Sequence, residues 1–315
     1  LNGPHAVSSR PRLTVVDALL VLMAGIWGVN YSVMKRAFVD VPPLAFNGVR
    51  FVLASALFLV AIAAARRRWS ARESTSLSRI VYTPTALSAR DCWDVVWLGL
   101  VGCFLYQTCW ALGLARTTAS NGALILGATP VVVAIGSAAL GHERLGRMHW
   151  IGAALSAFGL YLVIGRQAEF GSSTWHGDVL ILAGLACWST YTIGARRLMS
   201  RHSPLFVTGM TMTAGTIPYA ILALPDIERV SWRSLPAIDW ALLAYAALLA
   251  AGAAYILWYT GVQRLGAART SIYSNVIPIA AMAAAAIWLR EPMTPMKIAG
   301  AACVICGVLV TRVQA

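Results

Sequence analysis

Ten continuous apolar runs occupy most of the chain, at about Asp17–Phe38, Leu44–Ala65, Trp93–Ala115, Ser120–Leu140, His149–Ile164, Gly177–Met199, Leu205–Leu224, Trp240–Arg264, Ala267–Leu289 and Lys297–Arg312. A helix rises 1.5 Å per residue, so ~20 apolar residues cross a ~30 Å hydrocarbon core. The fifth and tenth runs are short, at about 16 residues. A membrane barrel would alternate polar and apolar residues, and these runs do not. Composition agrees, with 59% hydrophobic and 12% charged residues and a mean hydropathy of +0.70. A soluble domain is about a quarter charged. A soluble enzyme, a disordered chain and a disulfide scaffold are therefore excluded. The first run is too long for a signal-peptide core, opens on Asp17 and lacks a small-residue cleavage site, so it reads as a retained span. The expected class is an all-α integral membrane protein with ten transmembrane helices.

The runs repeat. "WGVNYSVMKR" (Trp27–Arg36) returns as "WSTYTIGARR" (Trp188–Arg197), an offset of 161 that also pairs Asp17 with Asp178 and Pro43 with Pro204. Further on an offset of 148 pairs Trp110 with Trp258, Gly113 with Gly261, Pro130 with Pro278, Glu143 with Glu291, Gly152 with Gly300 and Gly159 with Gly307. The difference of 13 residues is the extra length of the polar Arg66–Arg90 stretch, which reads as a flexible loop. The expected organisation is a tail at 1–16, a five-helix unit at 17–164, a linker at 165–176 and a second unit at 177–312. Five is odd, so the second unit enters the membrane from the opposite side. Two inverted halves related by an axis in the membrane plane are a pattern of secondary transporters, because they can exchange conformations.

The net charge of +13 raises the question of nucleic acid, but its distribution argues against it. Most basic residues lie between apolar runs, where they set orientation. With the N-terminus inside, 16 of the 25 face inward, eight face outward and Arg50 lies within a span. The Arg66–Arg90 loop decides this balance with six arginines, so both termini are expected in the cytoplasm. The six cysteines lie mostly within apolar runs and read as small packing residues.

The segments "GIWGVNYSVMKRA", "PPLAFNGVRFVLA", "ALGLARTTASNGALILGATPVVVA" and "GHERLGRMHWIGAALSAFGLYLV" resemble the EamA family, the ten-helix branch of the drug/metabolite transporter superfamily. The second half is similar, in "GVQRLGAARTSIYSNVIPIAAMAAAAIWLREPMTPMKIAGAACVICGVLV". The resemblance runs from Asp17 to Arg312. It implies a bacterial inner-membrane permease with a central cavity between its halves. Known members export amino acids, other small metabolites or drugs.

Candidate site residues follow from stripes inside the runs. Trp27, Asn30 and Tyr31 share one face of the first helix, and Trp188, Tyr191 and Thr192 occupy the matching part of the sixth. An aromatic and polar stripe is costly to aim at lipid; it lines a cavity or packs between helices. Tyr106, Gln107 and Trp110 form a face of the third helix, with Tyr255 and Trp258 at the matching places of the eighth. Gln107 needs a buried partner, whether it lines a cavity or ties helices together. Asn275 precedes Pro278 within the ninth helix, whereas Asn121 reads as a helix cap. Arg50 lies about seven residues inside its span, ~10 Å deep. It either holds a substrate carboxylate or snorkels to the surface. Pro130 and Pro278 read as bends or flex points. Glu143 and Glu291 read as structural ion-pair partners, for example of Arg144 and Arg290.

Every Asp and Glu falls at a helix end or in a loop, so proton coupling has no obvious carrier. No cluster suits a metal, a cofactor or catalysis. The reading is a non-enzymatic exporter of small neutral or zwitterionic metabolites such as amino acids, working by alternating access. The alternative is efflux of drugs or hydrophobic cations, which the lack of a midplane carboxylate disfavours. A membrane-embedded enzyme or a scaffold comes well behind. The expected partners are a small-molecule substrate and the lipid bilayer, with no nucleic acid, and one chain suffices for a complete pathway.

Overall fold

The computed structural model describes residues 15–69, 78–140, 146–164 and 174–312. They form ten long helical segments: α1 Val15–Ala37, α2 Pro43–Arg68, α3 Ala89–Arg116, α4 Ala119–Ala139, α5 Arg147–Ile164, α6 Trp175–Met199, α7 Pro204–Arg229, α8 Ala237–Leu265, α9 Arg269–Trp288 and α10 Pro295–Arg312. Eight are long and apolar enough to cross a membrane, and α10 holds a shorter apolar stretch. No strand occurs among the described residues. The protein is an all-α membrane protein.

Local chemistry sets the helix starts. Pro43 and Pro204 sit in the first turns of α2 and α7, where a missing N–H costs nothing. Ser88 and Asp91 form a reciprocal capping box at the start of α3. Thr118, rather than Asn121, caps α4: its hydroxyl accepts from the Asn121 N–H at 3.0 Å.

The two five-helix units interlock with two-fold symmetry. Helix α1 packs on α9 and α8, while its counterpart α6 packs on α4 and α3; α2 meets α7, and α5 meets α10. Along α2 and α7 the contact is reciprocal. A Cβ on Gly48 would meet Ala223 at 2.9 Å, and one on Gly209 would meet Ile62 at 2.8 Å. Without a hydrophobic force between helices in lipid, such close approach of small residues supplies the packing. Midway along, Ser55 and Thr216, themselves 161 apart, share a hydrogen bond of 2.9 Å. Equivalent residues that touch each other mark the axis.

Two features depart from straight helices. Both α3 and α8 contain π-helical turns, at Leu100–Leu105 and Tyr245–Ala253. Helix α4 is broken at Gly127–Ala128, and Pro130 lies in the first turn of the segment Thr129–Ala139. Helix α9 carries a 3₁₀ turn at Ile272–Asn275 before Val276–Trp288. Pro130 and Pro278 therefore begin new helical segments rather than bending continuous helices. Of the stretch read as a flexible loop, residues 70–77 lie outside the described residues, and the part from residue 78 is less free than its composition suggests. Beyond a short helix at Ser78–Val81, Thr83 donates to Ser203 at 2.9 Å and Thr85 donates to the Arg201 carbonyl at 2.8 Å. Its counterpart side thus anchors it to the α6–α7 turn.

Antiparallel connectivity gives the bundle two ends. One, the Asp91 end, gathers the starts of α1, α3 and α7 and the ends of α2, α6 and α8. The other, the Asp239 end, gathers the end of α1, the α3–α4 turn, the start of α8 and the end of α9.

Candidate functional site

A cavity of about 50 Å³ lies where the halves meet, lined by Trp27, Asn30, Tyr31, Arg50, Tyr106, Gln107, Trp110, Leu126, Thr129, Trp188, Ala250, Tyr255, Ser274 and Ile277. Both units contribute. At ~10–15 Å³ per water the space holds a few water molecules. That space is smaller than a metabolite.

Its aromatic wall is built on the axis. Trp27 and Trp188 meet edge to face, with ring centroids 5.6 Å apart. Tyr255 lies 5.5 Å from the first and 5.7 Å from the second, and Tyr106 stands 5.1 Å from Trp188. Such pairs contribute about 0.5–1.5 kcal/mol each beyond burial. The Trp27 indole donates to the Ala250 carbonyl at 2.9 Å. Ala250 lies in the π-helical segment of α8. The wide turn breaks the α-helical pairing there, which is why a side chain can reach that carbonyl.

Arg50 neither reaches the surface nor ties down helix-end carbonyls. It is 3% exposed, donates to Gln107 Oε1 at 3.1 Å and Met34 Sδ at 3.3 Å, and lies over the Trp110 and Phe51 rings. Gln107 in turn donates to the Tyr255 hydroxyl at 2.9 Å, which is the buried partner it needed. Gln107 and Tyr255 are 148 apart, so this bond also joins equivalent positions on the axis. Among the described residues no carboxylate pairs with Arg50, and its Nε has no hydrogen-bond partner. Asn30 Oδ1 is likewise buried without a partner. A buried guanidinium held only by an amide and a thioether keeps donors available for an anion.

Four candidates do not line the cavity. Trp258 stands behind it, 5.6 Å from both Trp27 and Trp188. Tyr191 is fully buried and shares a hydrogen bond of 2.6 Å with Thr211. Thr192 is fully buried beside it in sequence, and Asn275 ends the 3₁₀ turn of α9. The lining also includes Leu126, Thr129, Ala250, Ser274 and Ile277, which residue type alone does not single out. The repeat could have found most of them, because the offset of 148 pairs Leu126 with Ser274 and Thr129 with Ile277 at the two helix breaks.

At the Asp239 end Glu291 closes the bundle across the halves. It accepts from the Ala119 N–H at 2.9 Å and from the Ser120 hydroxyl at 2.6 Å, capping α4, with Lys297 Nζ at 3.8 Å. Lys297, not Arg290, is its ionic partner; Glu143 and Arg144 lie outside the described residues. Nearby, Lys35 donates to the Ala115 carbonyl at 3.4 Å.

An internally duplicated helical membrane protein, with broken helices and a polar and aromatic cavity on its two-fold axis, is built as a membrane transporter. This chain belongs to the EamA-like transporter family, whose profile matches residues 15–165 and again 175–313. It is 25% identical to the uncharacterized transporter YetK of Bacillus subtilis, over 94% of this chain and 86% of YetK. It is 26% identical to a Salmonella typhimurium protein named "Probable amino-acid metabolite efflux pump", over 93% of each chain. A solved crystal structure shares the fold, with a TM-score of 0.67 and 19% identity over 95% of this chain and 97% of the other.

Proposed function

We propose that this protein exports amino acids or related neutral and zwitterionic metabolites by alternating access between its two halves. The observation that carries the reading is Arg50, a buried guanidinium on the cavity wall with no carboxylate partner among the described residues. A substrate carboxylate would take the place of the missing acid. Asn30 Oδ1 would accept from a substrate ammonium, and Trp27, Trp188, Tyr31 and Tyr106 would cover an apolar side chain. The amino-acid efflux named for the Salmonella relative is consistent with this chemistry. Efflux of hydrophobic cations would use the same aromatic wall, but the Arg50 charge repels them.

In this reading the protein lies in the bacterial inner membrane with the Asp91 end and both termini in the cytoplasm. A cysteine at Ser76 should then resist an impermeant thiol reagent added from outside, and ready labelling reverses the orientation. The substrate reading is tested in proteoliposomes with labelled amino acids and their amides. Arg50→Gln should abolish transport of the acids and spare the amides. Equal loss of both would make Arg50 a structural residue. Trp27→Ala and Trp188→Ala should cut transport of bulky substrates in folded protein; parent rates for every substrate would remove these residues from the site.

A further inference from the structure

The repeat places two aspartates in equivalent positions, Asp91 in α3 and Asp239 in α8, 148 apart. Both are buried, at 0% and 2% exposure. Their surroundings are opposite. Asp91 accepts from the Ser88 backbone N–H at 3.0 Å and the Ser88 hydroxyl at 2.7 Å. It pairs with Arg201 at 2.9 Å, lies 3.7 Å from Arg197 and has the His202 ring at 3.5 Å. Asp239 has no hydrogen-bond partner on either carboxyl oxygen.

The sequence explains the difference donor by donor. Where Asp91 has Ser88, Asp239 has Pro236, which offers neither a hydroxyl nor an N–H. Where Asp91 has Arg201, Asp239 has Asp40, an acid in place of a base. His202 is matched by Val41. The remaining equivalent of Arg197 is Arg36, and Asp40 holds it at 2.5 Å. The other groups around Asp239 are uncharged: Trp232 and Leu235 from the α7–α8 connection, Phe46 from α2 and Leu243 from its own helix. Arg36 and Asp40 are the charged groups that face it. Burial without donors and the neighbouring Asp40 carboxylate favour the protonated form of Asp239, and the Arg36 guanidinium opposes them.

We infer that Asp239 is a proton-binding site. Its carboxyl holds a proton while α1, α2 and α8 are packed together at this end. When they part, the carboxyl meets water and the Arg36 guanidinium, and the proton leaves to the solvent on that side. Proton binding thereby favours closure of the Asp239 end. If the transport reading above holds, on which this last step rests, the pH on the Asp239 side would set how readily this end opens. The sequence places this proton site at a helix end rather than at the midplane.

Infrared difference spectroscopy of the purified protein reads protonated carboxyls directly. The parent should show a protonated-carboxyl band that persists above the ordinary carboxylate range and that Asp239→Asn lacks. Pro236→Ser restores the missing donors without touching the carboxyl, and should move the loss of that band down by about one pH unit, a tenfold weaker hold on the proton. A band unchanged in Asp239→Asn overturns the site. Should that variant fail to fold, an unchanged titration in Pro236→Ser overturns it. In proteoliposomes Asp239→Asn should carry substrate down its own gradient but lose the dependence of the rate on the pH at the Asp239 side; an undiminished dependence removes the link to transport. A parent that transports nothing sinks the transport reading and leaves the infrared result to decide the proton site.

Discussion

The two ends of the bundle are copies of one another in sequence position and opposites in charge. At the Asp91 end, Asp91 and Asp94 face Arg197, Arg201 and His202, and Arg197 reaches Asp94 at 2.5 Å. At the Asp239 end, Arg36 pairs with Asp40 and not with Asp239, and Leu242 stands where Asp94 would be. The first arrangement is a network of paired charges that ties α3 to α6 and the α6–α7 turn. The second leaves a carboxyl without donors, and closure there falls to Glu291 and Lys35. Inverted repeats permit two states of similar energy, and in the alternating-access reading proposed above the charge difference would make the two ends open by different chemistry.

The largest expected contrast is in thermal stability. Asp91→Asn weakens the side-chain half of the α3 capping box and leaves Arg201 without its acid, so the melting temperature in detergent should fall by several degrees. Asp239→Asn replaces a buried carboxyl that has no hydrogen-bond partner by an uncharged amide of the same size, and should be close to neutral. Equal losses in the two variants would erase the contrast. Next comes Glu291→Ala, which deprives the α4 N-terminus of its acceptor and leaves the nearly buried Lys297 unpaired. It should cost roughly 1–2 kcal/mol. Because the loss falls on contacts between the halves, a cysteine at Thr129 should label faster from the Asp239 side. A stability loss without faster labelling would make Glu291 a simple cap. The smallest effect belongs to the axis. Ser55→Ala and Thr216→Val each remove one side of the same hydrogen bond, worth about 0.6 kcal/mol within a membrane. The single and double variants should lose the same amount, and additive losses would place the two hydroxyls in separate networks.

Much of this was legible in the sequence because lipid imposes a coarse rule. A helix crossing it must be apolar for ~20 residues, and duplication then shows as two offsets. Trp27, Trp188, Gln107 and Tyr255 could be named because polar and aromatic groups inside apolar runs have few places to go. The breaks in α4 and α9 were hidden, because Pro130 alone does not reveal whether a helix bends or restarts. The π-helical turns were hidden too, since alanine-rich stretches such as Tyr245–Ala253 carry no signal for a wider turn. Glu291 was read as an ion-pair partner of its neighbour, whereas its acceptors serve a helix start in the other half. Contacts between halves depend on how the units interlock, and periodicity within one unit does not encode that.

The π-helical turns also carry a record of descent. A π turn holds one more residue than the α turn it replaces, so each such stretch amounts to a residue inserted into an otherwise regular helix. Leu100–Leu105 in α3 corresponds, at the constant offset of 148, to Leu248–Ala253 within the wide stretch of α8. Two independent insertions at one place would be a coincidence. A single insertion before the gene segment doubled accounts for both, and it means the five-helix ancestor already carried the irregular turn. The differences around Asp91 and Asp239, Ser88 against Pro236 and Arg201 against Asp40, belong to the time after that doubling, when the two copies could differ.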